Sequence, residues 1–220
     1  AGNNEKTCTI TFTVQSKTAS AVFSDVTAKN YSWASDSVDF LYYEGVAQGS
    51  KAAGSTAIKY NPSANITRRD FMLMLYRAFL AADYGTFNPT TNFPDVVKGA
   101  DAYSKEIYQA VGVAKYLGIA QGTNDRFNPT ANITRAEFAT IAVRFFVITE
   151  EYDYEIEVFS DTEDHWASEY INMAYLLGII NGYPDGTYRP SNIINRAEAM
   201  TIVNNTLRRS PCREGLLSED

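Results

Sequence analysis

The pattern of apolar and polar positions repeats three times along the chain. In one set of segments Val38 and Leu41, Val111 and Ala114, and Ile171 and Ala174 fall three apart, each pair followed four residues later by Gly45, Gly118 or Gly178. That spacing lines one face of a helix, and the glycine supplies the left-handed residue on which a helix stops. In a second set Phe71, Met74, Leu75 and Ala78 correspond to Phe138, Ile141, Ala142 and Phe145, and to Ala199, Ile202, Val203 and Thr206. This i, i+3, i+4, i+7 stripe belongs to an amphipathic helix. One short unit cannot bury it alone, so the three second helices are expected to pack together.

The punctuation between these helices recurs as well, and self-similarity of this kind decides the architecture. Each unit opens on Phe23-Ser24-Asp25, Phe93-Pro94-Asp95 or Phe159-Ser160-Asp161, the aspartates standing 70 and 66 residues apart. The first helix ends in Gly45-Val46-Ala47-Gln48-Gly49, Gly118-Ile119-Ala120-Gln121-Gly122 or Gly178-Ile179-Ile180-Asn181-Gly182. A turn closing on proline follows, as Tyr60-Asn61-Pro62, Phe127-Asn128-Pro129 and Tyr188-Arg189-Pro190. The second helix opens on Thr67-Arg68-Arg69-Asp70, Thr134-Arg135-Ala136-Glu137 or Asn195-Arg196-Ala197-Glu198. Residues 50–57 are an insertion in the first copy, a change that costs little in a surface loop.

The expected fold is therefore all-α: three helical-hairpin repeats arranged with pseudo-threefold symmetry around a central three-helix bundle, plus a short β-strand-like segment near the N-terminus. Residues 23–86, 93–149 and 159–209 form the repeats. Residues 150–158 are an acidic linker, and 210–220 a tail without periodicity. Residues 1–22 form an extension in which Cys8, Ile10, Phe12 and Val14 alternate with threonines, as in a half-buried strand; it reads as the end of an upstream β domain or as a linker. The missing initial methionine fits a mature fragment, so the lack of an export signal does not count against secretion.

With 220 residues, 45% of them hydrophobic, the chain can bury a substantial core. A net charge of -7 argues against nucleic acid as a partner. No apolar run reaches the roughly 18 residues needed to span a bilayer, so membrane insertion is not expected. Two cysteines, Cys8 and Cys212, are too few for a disulfide framework or zinc site, and either pair across the termini or stay free. His165 is the sole histidine, without a nucleophile elbow or a cysteine partner. The repeated acids have capping roles, which removes them as candidates for two-carboxylate chemistry. Asp161, Glu163, Asp164 and His165 lie on a chain entering a helix, where consecutive side chains point apart; Asp185-Gly186 is a turn, not a calcium loop. No enzyme, cofactor or metal is expected.

The hydroxyl of Thr67 or Thr134, or the amide of Asn195, suits the start of a helix, with Asp70, Glu137 or Glu198 reaching back. The arginine at the first helical position, Arg68, Arg135 or Arg196, is harder to explain, because a cation there opposes the helix dipole at a cost of up to about 1 kcal/mol. Either each arginine pairs with an acid, Asp25, Asp95 and Asp161 being available, or it joins exposed helix-end amides in seating a carboxylate.

Residues 159 to 198, with Phe159-Ser160-Asp161, Trp166 leading a helix, Gly178 to Gly182, Asp185-Gly186, Tyr188-Arg189-Pro190 and Asn195-Arg196-Ala197-Glu198, resemble an S-layer homology domain. The second copy resembles it equally well, and the resemblance covers about residues 23 to 209. It implies a trimeric pseudo-repeat that attaches exocellular proteins to secondary cell-wall polysaccharide, often through a terminal pyruvylated N-acetylmannosamine held in grooves between units. By the same resemblance Arg68, Arg135 and Arg196 are ligands for the ketal carboxylate. Asp25 and Asp161 match the family's early aspartate and Trp33 and Trp166 its helix-leading tryptophan, whereas Asp95 matches only the former. Gly49, Gly122 and Gly182 match glycines that leave room beside the sugar. Counting twelve residues back from Gly45 and Gly178 gives Trp33 and Trp166, but the same step from Gly118 lands on Glu106, with Tyr103 the nearest upstream aromatic.

Other readings stand beside this one. Trp33 and Trp166 either anchor the core or stack on sugar. The insertion either covers or extends the first groove. The shorter Asp70 caps less well than the glutamates. The grooves either hold wall glycan at the cell surface, peptidoglycan being a variant, or bind neighbouring surface-layer proteins in a lattice.

Overall fold

The computed structural model describes residues 19–80, 88–146 and 158–209. The strand-like segment 7–14, the acidic stretch 150–157, both cysteines and the tail lie outside the described residues. What is described is helical, with isolated β-bridges in place of sheets. A 3-10 turn, Ser32–Ala34, leads into α1 (Ser35–Tyr43). Helix α2 (Arg68–Leu75) runs on through a π-helical turn, Tyr76–Leu80. Helices α3 (Ala102–Tyr116), α4 (Arg135–Phe146), α5 (Ser168–Leu176) and α6 (Arg196–Arg209) follow. Gly45, Gly118 and Gly178 have φ of 74, 73 and 61° just past the ends of α1, α3 and α5, as the stop signal requires.

Both apolar stripes are buried. Val38, Leu41, Val111, Ala114, Ile171 and Ala174 are sealed from solvent, as are Phe71, Phe138, Ala199 and Val203. The second stripe is wider than its periodicity suggests, because Met72, Leu73, Ala139 and Met200 are buried too. The cause is packing on two sides. Each second helix lies against the first helix of the next repeat: α2 on α3, α4 on α5, and α6 back on α1. The second helices also meet one another, with the Phe71 and Phe138 rings 4.2 Å apart and Phe79 and Phe145 4.5 Å apart. The expected hairpin within each repeat therefore gives way to exchange between repeats, and the principal helix pairs join neighbours.

A closed circuit of backbone bonds fixes this exchange. The Ile66 amide donates to the Ile194 carbonyl, the Ile194 amide to Ile133, and the Ile133 amide to Ile66, at 3.1–3.3 Å. The amides opening each second helix donate to the neighbouring repeat: Arg68 and Arg69 to the carbonyls of Ala131 and Pro129, Arg135 and Ala136 to Asn192 and Pro190, Arg196 and Ala197 to Ala64 and Pro62. Helix-end donors that would otherwise face water or a ligand are satisfied within the protein. The expectation of exposed amide ends waiting for a carboxylate is corrected on this ground.

Candidate functional site

Each motif arginine reaches across to the aromatic-x-proline turn of the next repeat. Nε of Arg68 donates to the Phe127 carbonyl at 2.7 Å, Nε of Arg135 to Tyr188 at 2.8 Å, and Nε of Arg196 to Tyr60 at 3.0 Å. Each guanidinium also lies over the ring of that residue, at 5.0, 4.4 and 4.6 Å. A second nitrogen makes a further bond: Arg68 to Glu137 at 2.6 Å, Arg135 to the Asn181 carbonyl at 3.1 Å, and Arg196 to the Gln48 carbonyl at 3.2 Å. Carbonyl oxygens and π-faces offset the unfavourable helix dipole, and the aspartates are not the partners.

The aspartates hold the turn instead. Asp25 accepts the amides of Tyr60 and Asn61, Asp95 those of Phe127 and Asn128, and Asp161 those of Tyr188 and Arg189, all at 2.7–2.9 Å. Asn61, Asn128 and Arg189 sit at φ of 58, 55 and 59°, a left-handed conformation unfavourable to any side chain, so the clamp stabilises a strained turn. Burial disfavours the charge on Asp95, yet the two amides outweigh it and hold its carboxyl below the usual range. Nδ1 of His165 accepts the Ala167 amide at 3.2 Å.

The glycines are also committed to packing. A Cβ on Gly49 would come within 2.7 Å of the Phe23 ring, one on Gly122 within 2.7 Å of Phe93, and one on Gly182 within 2.1 Å of Phe159. The space they leave is filled by the ring that opens each repeat.

Trp166 and Trp33 are 63% and 56% exposed, so the core-anchor reading fails for both. Tyr103, 42% exposed, takes the corresponding place in the second repeat. Tyr103 and Trp166 help define two composite grooves, and Trp33 lines neither. The first, of about 250 Å³, is lined by Arg196 of repeat 3, Val46, Gln48, Asp70 and Arg77 of repeat 1, and Tyr103 of repeat 2. The second, of about 300 Å³, is lined by Arg68 of repeat 1, Gln121, Gly122, Glu137 and Arg144 of repeat 2, and Trp166 of repeat 3. Each therefore takes side chains from all three repeats. The insertion lines neither: Ser50 pairs with Lys59, and Thr56 and Ala57 lie beside residues 20–24.

Capping geometry separates the copies. Glu137 and Thr134, and Glu198 and Asn195, exchange reciprocal bonds at 2.9–3.2 Å. Asp70, one methylene shorter, instead accepts the Thr67 hydroxyl at 2.6 Å and a short bond from the Tyr103 hydroxyl. Burial and that bond push the Tyr103 phenol up to about 12. Sequence reading missed Arg77 and Arg144. They stand seven residues after Asp70 and Glu137 on the same helical face, and that spacing is the signal that could have found them.

The sequence profile of the S-layer homology domain matches residues 22–72, 92–139 and 158–200. The chain belongs to the S-layer homology family, and is a surface module of the cell wall. It is 34% identical over 165 residues to "Cell surface glycoprotein 1" of Acetivibrio thermocellus, covering 69% of this chain and 7% of that protein. It is 32% identical over 170 residues to "Cellulosome-anchoring protein" of the same organism, covering 72% and 35%. Against "Exoglucanase XynX", also of Acetivibrio thermocellus, it is 31% identical over 196 residues, covering 87% and 17%. The chain thus spans about a third or less of the length of these relatives.

Proposed function

We propose that the chain is a non-enzymatic anchor that holds an anionic, pyruvylated secondary cell-wall polysaccharide in grooves between its repeats. One observation carries this reading: both grooves combine an arginine, a glycine-flanked segment and an exposed aromatic ring from three different repeats. An aromatic face suits sugar C–H groups, and a half-buried guanidinium suits a carboxylate. Arg68, Arg135 and Arg196 then act with the N–H groups left over from their turn contacts. Trp166 and Tyr103 form the walls of the two grooves, and Trp33 is the exposed ring of the first repeat. Asp25, Asp95, Asp161, Gly49, Gly122 and Gly182 support the ligand from beneath by fixing the backbone.

The same reading takes α2, α4 and α6 as a central bundle with pseudo-threefold symmetry. The isoleucine circuit and the Phe71–Phe138 contact support it.

Because the tryptophans are exposed, they test the site without unfolding it. In a pull-down with purified wall polysaccharide, the Trp33→Ala, Trp166→Ala double variant should lose most retention while melting like the parent. Full retention by that variant would discard the groove reading. Concentration-dependent assembly without glycan, seen by light scattering, would favour a lattice module in its place.

A further inference from the structure

The two grooves share a plan but differ in the partner of their second arginine. In the first, Arg77 is bound at both ends by Glu106, Nε to Oε1 at 2.7 Å and Nη2 to Oε2 at 2.5 Å. Asp70 takes the Tyr103 hydroxyl and lies 3.9 Å from Arg69, which stands 5.9 Å from the centre of the same ring, while Arg196 donates to the carbonyls of Tyr60 and Gln48. The aromatic wall is tied to the acid opposite.

In the second groove Glu137 offsets Arg68, but no carboxylate among the described residues pairs with Arg144. Its guanidinium stands 5.0 Å over the Tyr170 ring and reaches the Tyr170 hydroxyl only at 3.4 Å. One half-buried positive charge is left over. The position equivalent to Glu106 is responsible, since Trp166 stands at the corresponding step and brings no carboxylate. In the third repeat Asn205 occupies the position of Arg77 and Arg144, so that extra cation is missing, and Arg135 is enclosed between the Tyr183 and Tyr188 rings.

We infer that the grooves are unequal, and that Arg144 in the second groove reads the negative charge of the glycan beside the motif arginines. In the first groove the corresponding Arg77 is held by Glu106, and the aromatic wall by Asp70. This rests on the glycan reading above, and deepens it by naming the specificity-determining residue. A guanidinium lacking a carboxylate in a partly desolvated groove gains most from a ligand anion, whereas a paired one must first give up its partner.

The test is calorimetry of the full chain against the methyl glycosides of pyruvylated and unpyruvylated N-acetylmannosamine. Arg144→Gln should weaken binding of the pyruvylated sugar at least tenfold and change the unpyruvylated one less than twofold. Arg144→Lys should keep part of the preference. The Glu106→Gln, Tyr103→Phe double variant should gain a second binding event for the charged sugar. An Arg144→Gln protein that keeps its preference, while Trp166→Ala loses binding, would overturn the role of Arg144 and leave the groove reading intact. A wild-type chain with no preference for the pyruvylated sugar would overturn the groove reading and this assignment together.

Discussion

Arg135 and Tyr188 hold each other twice: Nε of the arginine donates to the tyrosine carbonyl at 2.8 Å, and the tyrosine hydroxyl donates back to the arginine carbonyl at 2.9 Å. The guanidinium lies over the ring between these bonds, and both residues are buried. The same pair recurs as Arg196 and Tyr60, whereas Phe127 lacks the hydroxyl and Arg68 turns to Glu137. The motif arginine is thus a joint between repeats before it is anything else.

Replacing Arg135 with alanine should therefore cost stability. It strands the buried carbonyl of Tyr188, and a loss of about 1–3 kcal/mol is expected. Urea unfolding followed by circular dichroism measures it. A midpoint within error of the parent would refute the joint. Loss of glycan by this variant is meaningful only beside that measurement.

The buried tyrosines predict alkaline sensitivity. Burial raises the phenols of Tyr60 and Tyr188 far above 10.0, more than Arg196 and Arg135 lower them. A group whose folded pKa is raised stabilises the fold fully below its unfolded value and loses that contribution as pH climbs toward the folded one. Stability should fall as pH rises above about 10, the ordinary tyrosine value. Tyr188→Phe should cost about 1 kcal/mol at neutral pH and flatten the alkaline slope. An unchanged slope in chemical denaturation from pH 8 to 11 would contradict this.

Acid should act through the turn clamps. With the Asp95 carboxyl held below its usual range, its contribution is present above the unfolded value near 3.8 and fades as pH falls below it. Asp95→Asn keeps the shape but offers one acceptor oxygen in place of two, so it should destabilise at neutral pH by about 1–3 kcal/mol. The difference between variant and parent should narrow at pH 3, as thermal melts at both pH values would reveal.

Gly182→Ala should be poorly tolerated. The new methyl would meet the Phe159 ring, with Tyr175 and Tyr188 packed behind it at 5.2 and 5.4 Å. Overpacking of this kind costs about 1–3 kcal/mol. Alanine at Gly186, where nothing lies within 4 Å, separates crowding from backbone strain, since its φ of 81° leaves strain alone. Equal melting temperatures for Gly182→Ala and the parent would remove the packing role.

The sequence by itself determined the repeat, its two helices, the glycine stops and the capping residues. These are local matters, fixed by periodicities of three and four and by side chains acting on the backbone a few residues away. It also brought the right family into view, because three linked motifs recur in order. Only the tertiary structure decided which helix pairs with which, since an apolar stripe does not say whether its partner lies in the same repeat or the next. For the same reason the turns that Asp25, Asp95 and Asp161 hold, about 30 residues away, were out of its reach. The difference between Arg77 and Arg144 was equally out of reach: both stand at one position of the pattern, and whether a carboxylate from another repeat neutralises them is a fact of space.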